Sequence, residues 1–435
     1  MTPPEAAASP DAADPVDPSG STNTPQDADS LQRFLSVQLP ASGVTFAPDE
    51  TVYQQQAFEW MIGQVDYWKD LSESRILQRY ALASIYYATN SVANELTAGL
   101  ASTDSAAVDS WDSVGEGDAE WLAASDECLW FGIYDCNSDG LVMIFDMFDN
   151  MLTGSIPSEM GVLKELVYLR FEFNWVVNIG ESGHAFLGYL PKLRDLYYND
   201  NGMHDTEGIP AVIGELEHLE YFDCSYNFYF GALSADVVGR MTAVVELLIG
   251  GNYFNGPFPR VSLPHVEYLY ADNSDLTGDL DWIPAMPSLY ALDLRGNGDL
   301  AGTIPDAISS LQAIHYLDLS QCDIEGRIPT SMGLLTTLAH LYLDDNSLTG
   351  GIPASLSWCE ELEDLRLDGN DLEGDMPGVI CDLQTEAALT LLGADCTEAD
   401  PQVPCECCTC CGDECKAHNR VRRDRRLRRE SRRRY

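Results

Sequence analysis

The first regular pattern along the chain is helical. Apolar residues recur at a spacing of three or four in two stretches, at Phe58, Met61, Ile62 and Val65, and then at Ile76, Leu77, Tyr80, Ala83 and Tyr87. This spacing gives each helix one apolar face, which must pack against another element. We therefore predict two amphipathic helices, over 52–68 and 73–92.

The two ends of the chain lack such a pattern. Residues 1–50 are rich in Pro, Ala, Asp, Ser and Thr and contain few aromatic residues. Residues 416–435 are dominated by arginine. Neither segment contains enough apolar surface to offset the loss of chain entropy on folding, and we predict that both are disordered.

A second pattern begins near Leu141, where a short frame, L-x-x-L-x-L-x-x-N-x-L-x-G, recurs along the chain. Its polar position falls at Asn150, Asn174, Asn201, Asn227, Asn252, Ser274, Asn297, Cys322, Asn346 and Asn370, and a half-unit follows at Leu389, Leu391 and Ala394. The steps of 22 to 27 residues are typical of a solenoid with one short strand per coil. The least regular part of this array is residues 163–210.

The residue types in the frame have physical reasons. Apolar positions such as Leu338, Leu341 and Leu343 point inward, and the strands stack about 4.8 Å apart into one parallel sheet. The amide at the Asn position must bond backbone groups of the neighbouring coil, since an unsatisfied buried group costs roughly 1–3 kcal/mol. We therefore expect Leu294, Leu319, Leu343 and Leu367 to form a single buried stack.

The repeat resembles the plant-type leucine-rich repeats of receptor ectodomains and secreted inhibitors. The resemblance is clearest in "LTGSIPSEMGVL" (152–163), "EGRIPTSMGLL" (325–335) and "LTGGIPASLSWC" (348–359), and "WLAASDECLWFGIYDCNSDGLV" (121–142) is similar to the N-terminal cap of that family. It implies an α/β-type, right-handed superhelix with a concave parallel sheet. The expected units are a helical and Cys-containing cap at 51–141, about ten repeats at 142–396, a Cys-rich cap at 397–415 and the tail at 416–435.

The resemblance also implies disulfides and a role. It implies one bond between Cys128 and Cys136 and another that closes the C-terminal cap, for which we choose Cys381 and Cys396. For the remaining cap cysteines, tight disulfides, a metal site and reactive thiols stay open; they are Cys405, Cys407, Cys408, Cys410, Cys411 and Cys415. We expect Cys224 and Cys359 to be buried free thiols. The implied role is recognition, with ligands at the concave sheet or its rim.

Alternation along each strand defines the residues that face outward on the concave side. The middle column is Asp146, Arg170, Tyr197, Asp223, Leu248, Tyr270, Asp293, Asp318, Tyr342 and Arg366. The flanking columns hold Tyr168, Tyr221, Tyr268, Tyr316, His340 and Asp364 on one side, and Glu172, Asp272, Asp344 and Asp368 on the other. We predict that these columns are exposed.

From these columns we predict a ligand-binding face. Its residues are Tyr221, Asp223, Tyr268, Tyr270, Asp293, Tyr316, Asp318, His340, Tyr342, Asp344, Arg366 and Asp368. Tyrosine rings beside carboxylates suit a basic or neutral protein or peptide, because rings supply contact area and acids pair with cations. The alternative is a solvated acidic face whose tyrosines pack on each other.

The charge of the chain is unevenly distributed. The net charge is −46, but residues 416–435 carry eleven Lys and Arg against Asp424 and Glu430, a net of +9, which leaves −55 for residues 1–415. So acidic a body excludes nucleic acid from the solenoid. The tail itself could bind nucleic acid or an anionic surface, act as a localisation signal, fold back on the acidic body, flank a missing membrane segment, or be an inert solvated tail.

Other chemistry finds little support in the sequence. "DCNSDGLVMIFD" (135–146) fits part of a calcium loop, but Cys136 and the strand that follows favour a polar turn. The motifs HExxH, GxSxG and the phosphate-binding loop do not occur, and the neighbouring His315 and His340 are interpreted as surface residues. We expect no catalysis, no metal and no cofactor.

These expectations lead to three hypotheses for function. The first is a non-catalytic protein that recognises a protein or peptide on its concave face. The second is the sensing ectodomain of a membrane receptor-like protein whose span is missing from this sequence, and the third is a secreted enzyme inhibitor. Eight of the 13 cysteines fall between Cys381 and Cys415, which indicates an extracellular or cell-surface location, although we recognise no signal peptide or membrane span. Membrane association is expected only through the tail or a missing segment.

Overall fold

The computed structural model describes residues 24–48, 51–90, 121–178, 180–396, 401–412 and 414–415. The predicted disorder of residues 1–23 and of the tail at 416–435 lies outside these residues. The helices are α1 (Ala28–Gln38), α2 (Val52–Gly63), α3 (Val65–Trp68), α4 (Glu73–Thr89), α5 (Gly180–His184), α6 (Ala235–Val238) and α7 (Gly378–Glu386).

The helices before the repeats agree with the sequence in two cases and correct it in a third. The segments predicted at 52–68 and 73–92 form α2 with α3 and α4. The prediction that all of residues 1–50 are disordered is wrong, because α1 is a folded helix. Asp27 caps it by accepting from the Ser30 N–H at 2.8 Å, and the apolar face that includes Leu31 packs with Trp68.

Polar bonds join this helical cap to the first coils. Glu127 is fully buried and accepts from Arg75 Nε at 2.8 Å and from Arg79 Nη1 at 3.1 Å. Glu159, in the first coil, accepts from Gln54 Nε2 at 2.6 Å. Because a buried carboxylate needs such donors, these contacts fix how the helices sit on the end of the solenoid.

The strands are short and recur once or twice in each coil. In chain order they are β1 (Ile133–Cys136), β2 (Val142–Asp146), β3 (Thr153–Gly154), β4 (Tyr168–Arg170), β5 (Trp175–Val176), β6 (Asp195–Tyr197), β7 (Tyr221–Asp223), β8 (Phe230–Gly231), β9 (Glu246–Leu248), β10 (Tyr253–Phe254), β11 (Tyr268–Tyr270), β12 (Thr277–Gly278), β13 (Ala291–Asp293), β14 (Asp299–Thr303), β15 (Tyr316–Asp318), β16 (Asp323–Gly326), β17 (His340–Tyr342), β18 (Ser347–Gly350), β19 (Asp364–Arg366), β20 (Asp371–Leu372), β21 (Leu391–Ala394) and β22 (Cys410–Cys411).

Thirteen of these strands form the concave sheet, in the order β1-β2-β4-β6-β7-β9-β11-β13-β15-β17-β19-β21-β22. All neighbours are parallel except β1 and β2, which form an antiparallel hairpin at the N-terminal end. A five-stranded sheet, β12-β14-β16-β18-β20, runs along the following segment of the coils. The structure is therefore a leucine-rich repeat solenoid, as the repeat predicts.

The core lies between the concave sheet and the short helical turns of the coils. Leu294, Leu319, Leu343 and Leu367 are at most 1% exposed, as the predicted stack requires. One continuous cluster of buried apolar residues runs from the cap helix α4 to Val403. Since each coil buries its leucines only against its neighbours, stability is shared along the array.

The polar position of the frame forms the predicted amide ladder. Asn297 Nδ2 donates to the carbonyl oxygens of Ala271 and Leu294, and its Oδ1 accepts from the N–H groups of Ser274 and Leu276, all at 2.7–3.0 Å. Where other residues replace Asn, the donor is retained: Ser274 Oγ donates to Ile249 O at 3.2 Å and Cys322 Sγ to Leu294 O at 3.4 Å.

A left-handed backbone bend precedes each of these polar positions. The φ angle lies between 48° and 76° at Asp149, Phe173, Asp200, Tyr226, Gly251, Asn273, Gly296, Gln321, Asp345 and Gly369. Such a bend costs free energy at a residue other than glycine, so in those coils the bonds of the following polar side chain must offset it. The bend turns the chain out of the strand with the same geometry each time.

Candidate recognition surface

The strand register brings the predicted middle column together. Asp146 lies opposite Arg170, and the pairing continues through Tyr197, Asp223, Leu248, Tyr270, Asp293, Asp318, Tyr342 and Arg366 without a shift. The predicted flanking residues Tyr168, Tyr221, Tyr268, Tyr316, His340 and Asp364 share a second column by the same register.

The predicted exposure of this face is wrong for most of its residues. Of the twelve predicted ligand-binding residues, Tyr221 is half-buried and the other eleven are buried. Asp318 and Asp368 are 0% exposed and Asp293 is 2% exposed. Side chains on successive coils contact and bond one another, which is one reason that the columns are not freely solvated.

Aromatic rings form a continuous row along the face. Ring centroids are 5.5 Å apart for Tyr268 and Tyr290, 5.1 Å for Tyr290 and His315, and 5.6 Å for Tyr316 and Tyr342. Such contacts contribute roughly 0.5–1.5 kcal/mol per pair beyond the area they bury. The row gives the centre of the face an apolar floor.

His340 is part of this row rather than a surface residue. Its ring is 3% exposed and its Nδ1 lies 2.9 Å from Asp364 Oδ2, which also accepts from the Tyr342 hydroxyl at 2.9 Å. The interpretation of His340 as a surface histidine is therefore wrong. Asp364 instead holds both rings in place.

An ionic cluster closes the C-terminal end of the face. Arg366 donates to both carboxylate oxygens of Asp368, at 2.6 and 2.7 Å, and to Asp344 Oδ2 at 3.2 Å. Its Nη1 donates to the carbonyl oxygen of Cys415 at 3.1 Å. Because all these groups are buried, removing one would leave an uncompensated charge.

Burial raises the pKa of several acids in the columns. Desolvation raises the pKa of Asp223 to about 7, although Ser225 hydrogen bonds oppose the shift. The pKa of Asp293 lies well above its usual value because of burial and then the charges of Asp318 and Asp272. Part of the face therefore holds protons near neutral pH, and a cation placed there would release them.

Sequence reasoning missed three charged residues of the same columns. Asp195 and Glu246 occupy the flanking column between the predicted tyrosines, and both are buried. Arg295 lies 3.6 Å from Asp272 in the third column. The repeat frame contains the signal for all three, since they occupy the same frame positions as the residues that were predicted.

The caps contain five disulfides. Cys128 bonds to Cys136, in agreement with the pairing that the resemblance implies. The chosen pairing of Cys381 with Cys396 is wrong, because Cys381 bonds to Cys407 and Cys396 to Cys411. The parallel register of β21 and β22 places Cys411 opposite Ala394, two residues before Cys396. The other two bonds are Cys405–Cys408 and Cys410–Cys415.

The remaining cysteines and the loop at 135–146 have structural roles. Cys224 and Cys359 are buried free thiols, as predicted, and Cys322 is the third free thiol. In the loop, Asn137 Oδ1 accepts from the N–H groups of Asp139 and Leu141, which closes a turn between β1 and β2. Within the described ranges, no cluster of three or more His, Cys, Asp or Glu has a metal-binding arrangement.

Comparison with known proteins agrees with this geometry. The Leucine Rich Repeat family model matches residues 337–359, and Receptor like protein 21 of Arabidopsis thaliana is 28% identical over 177 residues. The chain is a leucine-rich repeat solenoid that is similar to plant receptor-like proteins. The match covers 40% of this leucine-rich repeat protein but only 16% of that relative.

Solved receptor structures are similar in fold. A TDR receptor is 29% identical with a TM-score of 0.54, over 59% of this chain and 44% of the receptor. The Arabidopsis HAESA ectodomain, in complex with an IDA peptide hormone, is 28% identical with a TM-score of 0.52, over 61% and 47% of the two chains. The leucine-rich repeat protein thus spans less than half of each of these proteins.

The disulfides and the lengths of the helices indicate the kind of compartment in which the chain folds and whether a described helix could span a membrane. Five disulfides are typical of proteins that fold in an oxidising compartment. None of the helices in the described part of the chain is both long and apolar enough to cross a bilayer.

Proposed function

We propose that this leucine-rich repeat protein is a non-catalytic recognition protein that binds a protein or peptide on its concave face. The observation that carries the proposal is the unbroken register of tyrosines and acids along that face. Ten coils repeat one outward position, from Asp146 to Arg366, so an extended chain laid across them meets a new contact at each coil. Extended peptides suit such a surface because their side chains also recur at short, regular intervals.

The chemistry of the face favours a basic or neutral ligand. Acids dominate its columns, and the row of rings beside them offers area and favourable contacts to cations. The HAESA ectodomain, similar in fold, is recorded with a peptide hormone, which supports the same class of ligand here. In this proposal the tyrosine row contributes most of the affinity, and the acids determine the specificity for basic or neutral ligands.

The accessible part of the face lies toward its N-terminal end. Asp146, Arg170, Tyr197, Tyr221 and Leu248 are only partly buried, whereas the column from Tyr270 to Arg366 is buried. A ligand would first contact this open half, which adjoins the tyrosine row. Electrostatic attraction to the acidic body would speed that first encounter.

The proposal is tested with peptides selected on the intact protein. A random peptide library displayed on phage is panned against it, and the affinity of the selected peptides is measured by fluorescence anisotropy at several salt concentrations. Selected peptides should be basic or neutral and rich in aromatic residues. A variant with Asp293→Asn, Asp318→Asn and Asp344→Asn should bind them at least tenfold more weakly and with a smaller salt dependence.

A matched control distinguishes loss of acids on the concave face from loss of acids elsewhere on the protein. Glu215, Asp236 and Asp306 are exposed acids on the helical turns outside the concave sheet. Changing these three to Gln, Asn and Asn removes the same number of carboxyl groups and should leave peptide affinity within twofold of the wild type. Equal loss in both variants, or in neither, would remove the concave face from consideration.

A second candidate is the extracellular sensing part of a receptor-like membrane protein. The similarity to Receptor like protein 21 and the disulfide-bonded caps favour it. The test is the full-length transcript. An in-frame segment that encodes a signal peptide together with a membrane span would support this role, and stop codons that bound the chain on both sides would exclude it.

A further inference from the structure

The C-terminal cap delivers the end of the described chain onto the concave face. Strand β22 extends the sheet beyond β21, and the Cys410–Cys415 disulfide holds Cys415 close to it. The Cys415 carbonyl accepts from Arg366 at 3.1 Å, and Cys415 is fully buried. Gly393 is the register partner of Arg366, and a Cβ built on it would lie 2.9 Å from Cys415 Sγ. Residue 415 therefore lies over the last position of the middle column.

The segment that starts there has the length and charge to follow the whole face. Residues 416–435 carry eleven Lys and Arg and two acids. Twenty extended residues reach roughly 65 Å. Thirteen strands spaced about 4.8 Å apart span roughly 58 Å, so the segment can pass every coil from β21 to β2.

The face offers the complementary charge. Its described residues include more carboxylates than arginines; the carboxylates are Asp146, Glu172, Asp195, Asp223, Glu246, Asp272, Asp293, Asp318, Asp344, Asp364 and Asp368, and the arginines are Arg170, Arg295 and Arg366. These acids are aligned by the strand register. A row of acids at the spacing of the strands gives the face a net negative potential, which attracts a chain with a cation at almost every second residue.

One buried oxygen on the face points to a missing donor. Asp195 is 0% exposed and its Oδ2 accepts from Arg194 at 2.8 Å, but its Oδ1 has no hydrogen-bond partner among the described residues. Burial raises the pKa of Asp195 in spite of Arg194. A buried carboxylate oxygen without a donor costs free energy, which a guanidinium from outside the described residues would recover.

We propose that residues 416–435 bind in cis along the concave acidic face, so that the arginine-rich tail occupies the face in the free protein. The binding of the tail is independent of any external ligand. Together with the proposed function, it makes the tail a built-in competitor that a ligand must displace. Weak ligands are then excluded, because the tail acts at an effective concentration of about 1 mM.

The first experiment measures competition between the tail and a copy of itself. The probe is a fluorescein-labelled peptide of residues 416–435, and the protein is the full chain. A tail variant carries Arg425→Glu, Arg426→Glu and Arg428→Glu, and its matched control carries Arg33→Glu, Arg240→Glu and Arg327→Glu, which are exposed residues elsewhere.

The expected result follows from the effective concentration. If the probe binds an open face at about 10 µM, a tail present at about 1 mM weakens its binding to the wild type on the order of 100-fold. The tail variant should therefore bind the probe at least tenfold more tightly than the wild type and the control variant. Binding of the probe to all three proteins within twofold, or to none of them, would overturn the proposal.

A second experiment needs no variant. At low salt, trypsin should cut the arginine bonds of the tail at least tenfold more slowly in the full chain than in the free peptide. At 0.5 M NaCl the two rates should converge, because salt screens the attraction. Cleavage at the rate of the free peptide in low salt would overturn the proposal. So would binding of phosphatidylserine vesicles or duplex DNA by the full chain as tightly as by the free peptide.

The outcomes separate this proposal from the proposed function. If trypsin cuts the tail slowly but the phage library yields no binding peptide, the intramolecular contact is supported and recognition of an external ligand is not. Selected peptides that bind the face while the tail is cut freely would support recognition and overturn the role of the tail.

Discussion

The amide ladder gives the most direct test of the fold, through the substitution Asn297→Ala. Asn297 is fully buried and its side chain makes four hydrogen bonds to backbone groups. Three of these groups, the carbonyl of Ala271 and the N–H groups of Ser274 and Leu276, belong to the preceding coil. Alanine removes all four bonds and leaves a cavity in the bend.

The expected loss follows from these bonds. At about 1 kcal/mol net for each, the four bonds contribute roughly 4 kcal/mol to the free energy of unfolding. Asn297→Ser should cost about half as much, because Ser274 shows that a hydroxyl at this position still donates to two carbonyl oxygens, at 3.1 and 3.2 Å. Asn255 carries an exposed side chain, and Asn255→Ala should change the stability by less than about 0.5 kcal/mol.

The assay combines urea unfolding followed by circular dichroism with hydrogen exchange. Urea unfolding ranks the three variants by their free energy of unfolding. Hydrogen exchange shows where the structure is weakened, and exchange should speed up first at the amides of Ser274 and Leu276. A loss below about 1 kcal/mol for Asn297→Ala would refute the reasoning. An equal loss for Ser and Ala would also refute it, since the donor would then contribute nothing.

Two further predictions concern protons and thiols. Burial raises the pKa of Asp223 from 3.8 to about 7, so its contribution to stability is complete below about pH 4 and is lost as the pH rises through 7. The free energy of unfolding of Asp223→Asn should therefore rise relative to that of the wild type from pH 4 to pH 8, by up to about 4 kcal/mol. Urea titrations of both proteins at pH 4 and at pH 8 measure this, and a difference that does not change with pH would contradict it. Alkylation of the denatured, unreduced chain should modify three thiols, Cys224, Cys322 and Cys359, and reduction should raise the number to 13 by intact mass; any other starting number would contradict the five disulfides.

The repeated part of the fold was predictable because one frame determines every coil. Once a single Asn position is placed, the strand, the inward leucines and the outward column of that coil follow, and the next coil repeats them. This is why the register from Asp146 to Arg366 agrees with the sequence across irregular steps. Even the coil that departs from the frame, where α5 lies, retains its ladder through Asn201.

The rest depends on contacts that no repeat encodes. Helix α1 was missed because its short apolar face, with Leu31 and Phe34, lies in a segment dominated by Pro, Ala and Asp. The bonding partners of Cys381 and Cys396, which are Cys407 and Cys411, depend on how the last strands approach each other. Burial of the concave acids was missed because alternation gives the direction of a side chain and says nothing of what lies against it.

Both ends of the concave sheet finish in a short strand, and this bears on how the protein behaves in solution. A long parallel sheet with open borders would offer unpaired backbone groups to another molecule, the route by which many such proteins form insoluble filaments. Here a hairpin borders one end and a two-residue strand, tied by Cys396–Cys411 and Cys410–Cys415, borders the other. Reducing agents would release that short border, and the reduced protein should then associate through the exposed edge of β21 while the oxidised protein stays dispersed.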